Sequence, residues 1–103
     1  MKEYDKLIRD KIPEIIAADG KECEVEVMGE DEYKEYLQDK LVEEVEEYVE
    51  SEEMEELADI LEVMRAIVEL EDFDFEEIER MREEKKDERG GFEERLKLLK
   101  VFE

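Results

Sequence analysis

Residues 40–63 read KLVEEVEEYVESEEMEELADILEV, and this stretch decides the fold. On both sides of Ser51, apolar residues recur at spacings of three and four, which places them on one side of a helix. Ser51 is predicted to be the N-cap of the second helix, because Glu52 and Glu53 follow it where carboxylates favour a helix start. The two predicted helices are therefore joined by a short turn at Ser51. A short connection makes consecutive helices antiparallel neighbours.

Four acidic residues lie at matching distances from Ser51. Glu47 and Glu44 lie four and seven residues before it, and Glu56 and Asp59 lie five and eight residues after it. Within each helix the i, i+3 spacing puts both side chains on one face, with Cβ atoms about 5–6 Å apart. Glu44 also falls in the seam where an apolar residue is expected. The sequence therefore predicts four carboxylates that converge on a partly buried seam.

Converging carboxylates repel one another and lose hydration unless a proton or a cation neutralises them. Magnesium fits such an all-oxygen site, with Mn²⁺ as a substitute, whereas zinc and copper favour His or Cys. A second interpretation stays open at this point. With 38 acidic residues among 103, pairs at this spacing also arise by chance on solvated helix faces that carry ion pairs.

The composition restricts the possible chemistry and partners. A net charge of −22 disfavours bulk nucleic acid and anionic membrane surfaces, so cations are the natural partners. There is no His, and Cys23 is the only Cys, which excludes histidine-assisted nucleophiles and an intrachain disulfide. The apolar runs are short, and the N-terminal MKEYDKLIRD is charged where a secretory signal is apolar. We expect a cytoplasmic protein.

The N-terminal third predicts one helix and one short β element. Residues 4–18 carry an apolar helical stripe, which Pro13 breaks or bends and Gly20 ends. Residues 21–28, KECEVEVM, alternate apolar and acidic side chains like a strand with one solvated face. The tail, residues 92–103, is ambiguous between helix and strand, and we favour a strand that pairs with KECEVEVM.

The remaining chain predicts helices only. Asp31 is a candidate cap for a helix that ends near Glu50, and residues 74–89 form a charged helix that Gly90-Gly91 ends. The helix that starts at Ser51 is apolar around most of its circumference, so a partner subunit should cover part of it. We therefore expect one mainly α domain over residues 1–103. It is an antiparallel helical bundle with a short accessory β element, assembled into a homo-oligomer, either a dimer or a tetramer.

Four segments together resemble the all-α nucleoside triphosphate pyrophosphatase superfamily. EEVEE at 43–47 and ELAD at 56–59 are similar to its EExxE…ExxD signature. YDKLIRDKIPEI at 4–15 and ERGGF at 88–92 stand in the order seen in small MazG-like and phosphoribosyl-ATP pyrophosphohydrolase-like members. The resemblance covers most of the chain and implies the helical bundle of that superfamily.

The resemblance also implies an activity and the residues that carry it. The reaction is hydrolysis of a nucleotide between its α and β phosphates, which yields a monophosphate and pyrophosphate. By position, Glu44, Glu47, Glu56 and Asp59 are the Mg²⁺ ligands, and Glu43 supports them or orients water. The divalent cations would neutralise phosphate charge, so no His or covalent nucleophile is needed. No base-reading loop is recognisable, so the nucleotide's identity does not carry over.

Basic residues are few enough to nominate as phosphate ligands. Lys6 and Arg9 lie in the N-terminal motif, and Lys86 and Arg89 precede Gly90-Gly91. Arg89 is the first choice, because a guanidinium forks around phosphate and glycines let backbone N–H groups approach an anion. For Lys86 the alternative is an i, i+4 ion pair with a neighbouring Glu on an exposed helix. For Lys6 and Arg9 the alternative is a salt bridge to a neighbouring helix.

A second class of function competes with the enzyme. An acidic helical module without catalysis could bind a basic partner or mimic nucleic acid. Such a mimic needs its charge spread over an exposed surface, whereas a metal site needs acids inside an apolar seam. Stabilisation by Mg²⁺ distinguishes the enzyme from the acidic module. Substitution of a single metal ligand should abolish this stabilisation if the protein has a metal site.

Overall fold

A computed structural model describes residues 2–102 of the chain. Its helices are α1 (Ile12–Ala18), α2 (Glu30–Ser51), α3 (Met54–Leu70) and α4 (Phe75–Arg89). The chain divides into two compact units, one that ends at Asp72 and one that begins at Phe73. The predicted mainly α class is confirmed.

Helices α2 and α3 form the main structure of the first unit, a hairpin packed along its length. Only Glu52 and Glu53 separate the helices, and Glu52 turns the chain with a left-handed φ of +59°. At the open end, Lys34 near the start of α2 forms an ion pair of 2.9 Å with Glu71, which follows α3. The predicted antiparallel arrangement of these two helices is confirmed.

The core of the hairpin is small. Leu37 on α2 and Val63 on α3 are the buried apolar residues, with 2% and 9% of their surface exposed. Glu44 is buried beside them, at 7%. The seam therefore buries a carboxylate among very few apolar side chains, as the spacing of Glu44 predicted.

The predicted helix boundaries around the hairpin need two corrections. Ser51 is not the N-cap of α3; it is the last residue of α2, and its Oγ accepts a hydrogen bond of 3.3 Å from the Glu53 N–H. The left-handed Glu52 stops α2 by itself, so no side-chain cap is needed to reverse the chain. Asp31 is not a cap either, because Gly29 takes that position and Asp31 lies in the first turn of α2.

The first predicted helix is much shorter than residues 4–18. It begins at Ile12, with Pro13 in its first turn. Proline has no N–H to donate and disfavours helical backbone in the residue before it, so it suits a helix start and not a helix interior. Residues 2–10 accordingly lie outside any helix.

The prediction of an accessory β element is wrong, because residues 2–102 contain no strand. In the stretch 21–28, Val25 and Val27 are 58% and 96% exposed, and in the tail Leu98 is 80% exposed. An alternating pattern forms a strand only when a neighbouring strand and a core accept it. Neither stretch has such a buried face here.

The second unit contains α4, whose predicted ends are confirmed. Asp74 Oδ1 accepts a hydrogen bond of 2.9 Å from the Glu76 N–H and so caps the start of the helix. Gly90, with a φ of +85°, ends the helix. A residue with a Cβ atom would be strained at this positive φ, so glycine is favoured there. Among the helices described, none has both the length and the apolar content needed to cross a bilayer.

Candidate metal centre

Two overlapping groups of carboxylates meet in the part of the hairpin close to its turn. Glu43, Glu44 and Glu47 form one group on α2. Glu44, Glu56 and Asp59 form the other, across α2 and α3. Within each group, one oxygen of every carboxylate lies within 4.8 Å of the others, and Glu44 belongs to both.

The two helices bring these acids together for a simple reason. Glu44 and Glu47 lie one turn apart on α2, and Glu56 and Asp59 lie one turn apart on α3. The tight loop at Glu52 places the helical turn of α2 that carries Glu44 and Glu47 beside the helical turn of α3 that carries Glu56 and Asp59. Residues that lie at similar distances from the loop along the sequence are therefore close to one another in the folded hairpin.

Burial distinguishes this cluster from an ordinary acidic surface. Glu44 is more than nine-tenths buried, and its Oε2 atom has no hydrogen-bond partner. The Oε2 atom of Glu56 is likewise buried and unpartnered. A buried carboxylate oxygen without a donor is costly, so these atoms mark a place that lacks a positive group.

The electrostatics of the cluster agree with that description. Burial raises the pKa of Glu44 above its usual value, and the neighbouring Glu47 carboxyl raises it further by sharing a proton and by repulsion. Burial also raises the pKa of Glu56, which a hydrogen bond with Glu47 partly offsets, while Asp59 and Glu44 repel its charge. Both carboxylates therefore resist ionisation in the metal-free protein.

Two side-chain cations already lie against the cluster. Lys40 Nζ approaches Glu43 Oε1 at 3.5 Å and Glu44 Oε1 at 3.4 Å from one turn below on α2. Arg9 Nη2 donates a hydrogen bond of 2.8 Å to Asp59 Oδ1. Neither reaches the two unpartnered Oε2 atoms, so the neutralisation of the cluster is incomplete.

The donor set fits a hard divalent cation. Every potential ligand in the two groups is a carboxylate oxygen, and one or two carboxylates plus water are the usual protein contribution to Mg²⁺ binding. The unpartnered Oε2 atoms of Glu44 and Glu56 are the oxygens for which a cation would supply the missing charge. Among the described residues, the groups of potential ligands are these two alone.

The proposed ligands map onto these two groups unevenly. Glu44, Glu56 and Asp59 come together as predicted, whereas Glu47 groups with Glu43 and Glu44. Glu47 nevertheless lies close enough to the other group to influence the pKa of Glu56 as well as that of Glu44. Glu43, expected in a supporting role, belongs to the same group as Glu44 and Glu47.

The predicted phosphate ligands have different outcomes. Arg9 lies at the cluster, but its partner is Asp59. Lys6 lines a cleft that also includes Lys40 and Glu43. Lys86 and Arg89 lie in the last turn of α4, in the second unit, so their role as phosphate ligands stays a prediction.

The salt bridge to a neighbouring helix, which the sequence left open as the alternative for Arg9, is present in the contact with Asp59. Sequence reasoning missed the other resident cation, Lys40. The pairing of Lys40 with Glu43 and Glu44 has a local signal, the i, i+3 and i, i+4 spacings, which could have found it. The contact between Arg9 and Asp59 joins residues 50 positions apart, and no local pattern reports it.

A cleft adjoins the cluster on its α2 side. Its volume is about 230 Å³, and it runs between the N-terminal segment and α2. Lys40 and Glu43 belong both to its wall and to the surroundings of Glu44. Nearby, the Tyr36 hydroxyl donates a hydrogen bond of 2.5 Å to Asp5 Oδ1, which holds the N-terminal segment against α2 and raises the pKa of Tyr36 to about 12.

Comparison of the chain with protein-family models, with curated proteins and with solved structures finds no match.

Proposed function

We propose that this protein is a Mg²⁺-dependent nucleotide pyrophosphohydrolase, which cleaves a nucleoside triphosphate or a related nucleotide between the α and β phosphates. One observation carries the proposal: the buried, unpartnered carboxylate oxygens of Glu44 and Glu56 at the meeting point of two helices. The superfamily resemblance, with its EEVEE and ELAD segments, supplies the reaction. A role in clearing surplus or non-standard nucleotides in the cytoplasm is part of the proposal.

The acids of the hairpin would hold the metal. Glu44, Glu56 and Asp59 form the group that spans both helices, and Glu47 touches it from the α2 side. When bound, Mg²⁺ supplies Lewis-acid stabilisation of phosphate charge and a template for the attacking water. Mn²⁺ is expected to substitute, because it accepts the same oxygen ligands.

Glu43 and Glu47 are the residues best placed to handle a proton. Both lie on the α2 side, and their exposure is greater than that of Glu44. A carboxylate that remains accessible to solvent can accept a proton from water, whereas the buried Glu44 has its pKa raised and serves better as a ligand. We therefore propose that one of these two orients the attacking water.

Basic residues would complete the phosphate site. Lys40 and Lys6 both line the 230 Å³ cleft beside the cluster, and an ammonium group there balances the charge of an anionic substrate. Arg9 reaches the other side of the cluster through Asp59. Lys86 and Arg89 of the second unit remain candidates by their position before Gly90-Gly91.

We also propose that the protein works as a homo-oligomer, a dimer or a tetramer. The hairpin leaves a series of large apolar side chains at least 42% exposed: Val42, Val45, Val49, Met54, Leu57, Leu61 and Met64. The described core contains just two buried apolar residues, so burial against a second copy would add much of the missing apolar contact. Light scattering that shows a stable, folded 12.4 kDa monomer at micromolar concentration contradicts this part of the proposal.

Thermal unfolding in Mg²⁺ tests the metal site directly. Binding to the folded state alone at a tenfold excess over the dissociation constant stabilises by about 1.4 kcal/mol, enough for a clear rise in Tm. We expect that rise at millimolar Mg²⁺ in the parent protein and in Glu50→Gln, whose side chain lies outside both carboxylate groups. The rise should disappear in Glu47→Gln. Pyrophosphate release from a panel of nucleotides then tests the reaction.

The acidic interaction module predicts a different result. If the carboxylates only form a charged surface, added salt screens their repulsion without regard to the cation's identity. The gain in Tm would then survive Glu47→Gln, and NaCl of equal ionic strength would reproduce it. That outcome favours the module over the enzyme.

A further inference from the structure

Arg9 forms an ion pair with Asp59, which is one of the proposed metal ligands. Its Nη2 donates to Asp59 Oδ1 at 2.8 Å, and Asp59 shares a carboxylate group with the buried Glu44. The contact joins the N-terminal segment to α3 across 50 positions of sequence, so only the fold creates it. A guanidinium here partly neutralises the cluster while no metal is bound.

We infer that Arg9 is the displaceable counter-cation of this cluster: a divalent cation that binds Asp59 releases Arg9, and with it the N-terminal segment, from the hairpin. The inference rests on the metal site of the proposed function and adds its regulation. Arg9 then acts as a positioning residue whose partner depends on whether the metal is present.

Exposure explains why Arg9, and not Lys40, is the cation that leaves. The Arg9 side chain is 60% exposed and that of Asp59 is 35% exposed, so the guanidinium can return to water at little cost. The Lys40 side chain is only 20% exposed, and it contacts both Glu43 and Glu44. Breaking two contacts of a half-buried ammonium is harder than breaking one contact of an exposed guanidinium.

The surrounding segment is free to follow Arg9. Residues 2–10 contain no helix or strand, because α1 begins only at Ile12. Among the described residues, one other side-chain hydrogen bond joins this segment to the hairpin, that of the Tyr36 hydroxyl with Asp5. Loss of the Arg9 contact therefore removes one of these two side-chain hydrogen bonds, so the chain around Lys6 should loosen. The hydrogen bond of Asp5 and the partial burial of Leu7 and Ile8 remain.

Mg²⁺ affinity without any nucleotide tests the competition. Arg9→Gln removes the competing cation, so we expect its Mg²⁺ dissociation constant, measured by calorimetry, to fall by about two- to fivefold, the range that an exposed ion pair supports. Arg82→Gln is the matched control, since it removes the same charge from an ion pair with Glu79 on α4. Its dissociation constant should stay that of the parent. Equal dissociation constants for Arg9→Gln and the parent overturn the inference.

Limited proteolysis separates displacement from simple repulsion between Arg9 and the metal. Trypsin cleavage after Lys6, followed by mass spectrometry, should accelerate at saturating Mg²⁺ in the parent and in Arg82→Gln, by about threefold or more if the Arg9 contact contributes like other surface pairs. In Arg9→Gln, cleavage should be fast without metal and insensitive to it. Cleavage in the parent that Mg²⁺ leaves unchanged or slows shows that Arg9 stays on Asp59, and the inference is wrong.

These results are independent of catalysis. If Mg²⁺ changes the cleavage as expected but no nucleotide yields pyrophosphate, the inference holds and the proposed reaction fails. If pyrophosphate is released while Arg9→Gln binds Mg²⁺ no tighter than the parent, the reaction holds and the inference fails. Absence of Mg²⁺ binding to the parent overturns both.

Discussion

The hairpin α2–α3 and the helix α4 are both rich in Glu, yet their acids behave in opposite ways. On α4, Arg82 donates to Glu79 through Nε at 2.9 Å and so lowers the pKa of Glu79. In the hairpin, burial raises the pKa of both Glu44 and Glu56. Glu79 is exposed and paired along its own helix, whereas Glu44 is buried and Glu56 half-buried between two helices.

The difference shows what turns an acidic pattern into a candidate site. Glu79 and Arg82 are three positions apart, and so are Glu44 and Glu47, so spacing alone does not distinguish the two helices. What distinguishes them is a second helix packed over one face, which excludes water and leaves two carboxylate oxygens without donors. The predictions below test this contrast between the hairpin and α4.

The largest expected effect is on catalysis. Glu47→Gln and Asp59→Asn should reduce pyrophosphate release by at least about 100-fold, because a lost metal ligand removes several kcal/mol of transition-state stabilisation. Glu79→Gln, the same change on α4, should leave the rate unchanged. Steady-state assays on whichever nucleotide the parent cleaves best give the comparison.

Glu50→Gln adds a control on α2 itself, since Glu50 lies in the last turn and outside both carboxylate groups. If Glu47→Gln, Asp59→Asn and Glu50→Gln all release pyrophosphate like the parent, the carboxylate site is wrong. If Glu47→Gln unfolds the metal-free protein, the acids are structural ion-pair partners and the hairpin is no different from α4.

The next effect concerns packing. Leu37 is 2% exposed in the hairpin, so Leu37→Ala should lower the free energy of unfolding by about 2–5 kcal/mol. Met81 on α4 is 51% exposed, and Met81→Ala should cost less than about 1 kcal/mol, since it removes little buried surface. Urea unfolding followed by circular dichroism measures both. Similar losses for the two variants would mean that α4 is buried as deeply as the hairpin.

The raised pKa of Glu44 predicts an unusual dependence of stability on pH. Its pKa in the folded protein lies above that in the unfolded chain, about 4.3, so folding favours its protonated form. Its contribution to stability is thus fully present below about pH 4.3 and is lost as pH rises through the raised pKa. Glu44→Gln should therefore raise the Tm of the metal-free protein at pH 7 and change it little at pH 4.

Glu79 supplies the opposite sign for the same measurement. Its pKa is lowered by Arg82, so its contribution is present above the ordinary glutamate pKa and is lost as pH falls. Glu79→Gln should slightly lower Tm at pH 7, and by less than Glu44→Gln raises it, because the pair is exposed. A Glu44→Gln protein that is less stable than the parent at pH 7 contradicts the raised pKa of Glu44.

The smallest expected effect is at Cys23. This residue lies outside every helix and is exposed, and Glu22 and Glu24 flank it. Cys23 belongs to neither group of potential metal ligands, so we expect no role for its thiol in the reaction. Cys23→Ala should keep both the pyrophosphatase rate and the urea midpoint of the parent. Complete inactivation of a folded Cys23→Ala protein would place the chemistry elsewhere than in the hairpin.

Local patterns determined much of this protein. The apolar periodicity around residues 40–63 predicted two antiparallel helices, and the positions of Glu44, Glu56 and Asp59 within it predicted that their carboxylates meet. The ends of α4 followed from Asp74 and Gly90. These features depend on neighbours within one or two helical turns, and such short-range effects can be read along the chain.

Tertiary structure decided the remainder. The alternation in residues 21–28 predicted a strand, but a strand requires a partner and a buried face, and Val27 is 96% exposed. Burial of the Glu44 and Glu56 oxygens depends on how closely α2 and α3 pack, and the contact of Arg9 with Asp59 depends on the path of a segment 50 residues away. Sequence spacing thus places the carboxylates on two facing helices, whereas desolvation and long-range contacts, which exist only once the chain has folded, set their charge and their counter-cations.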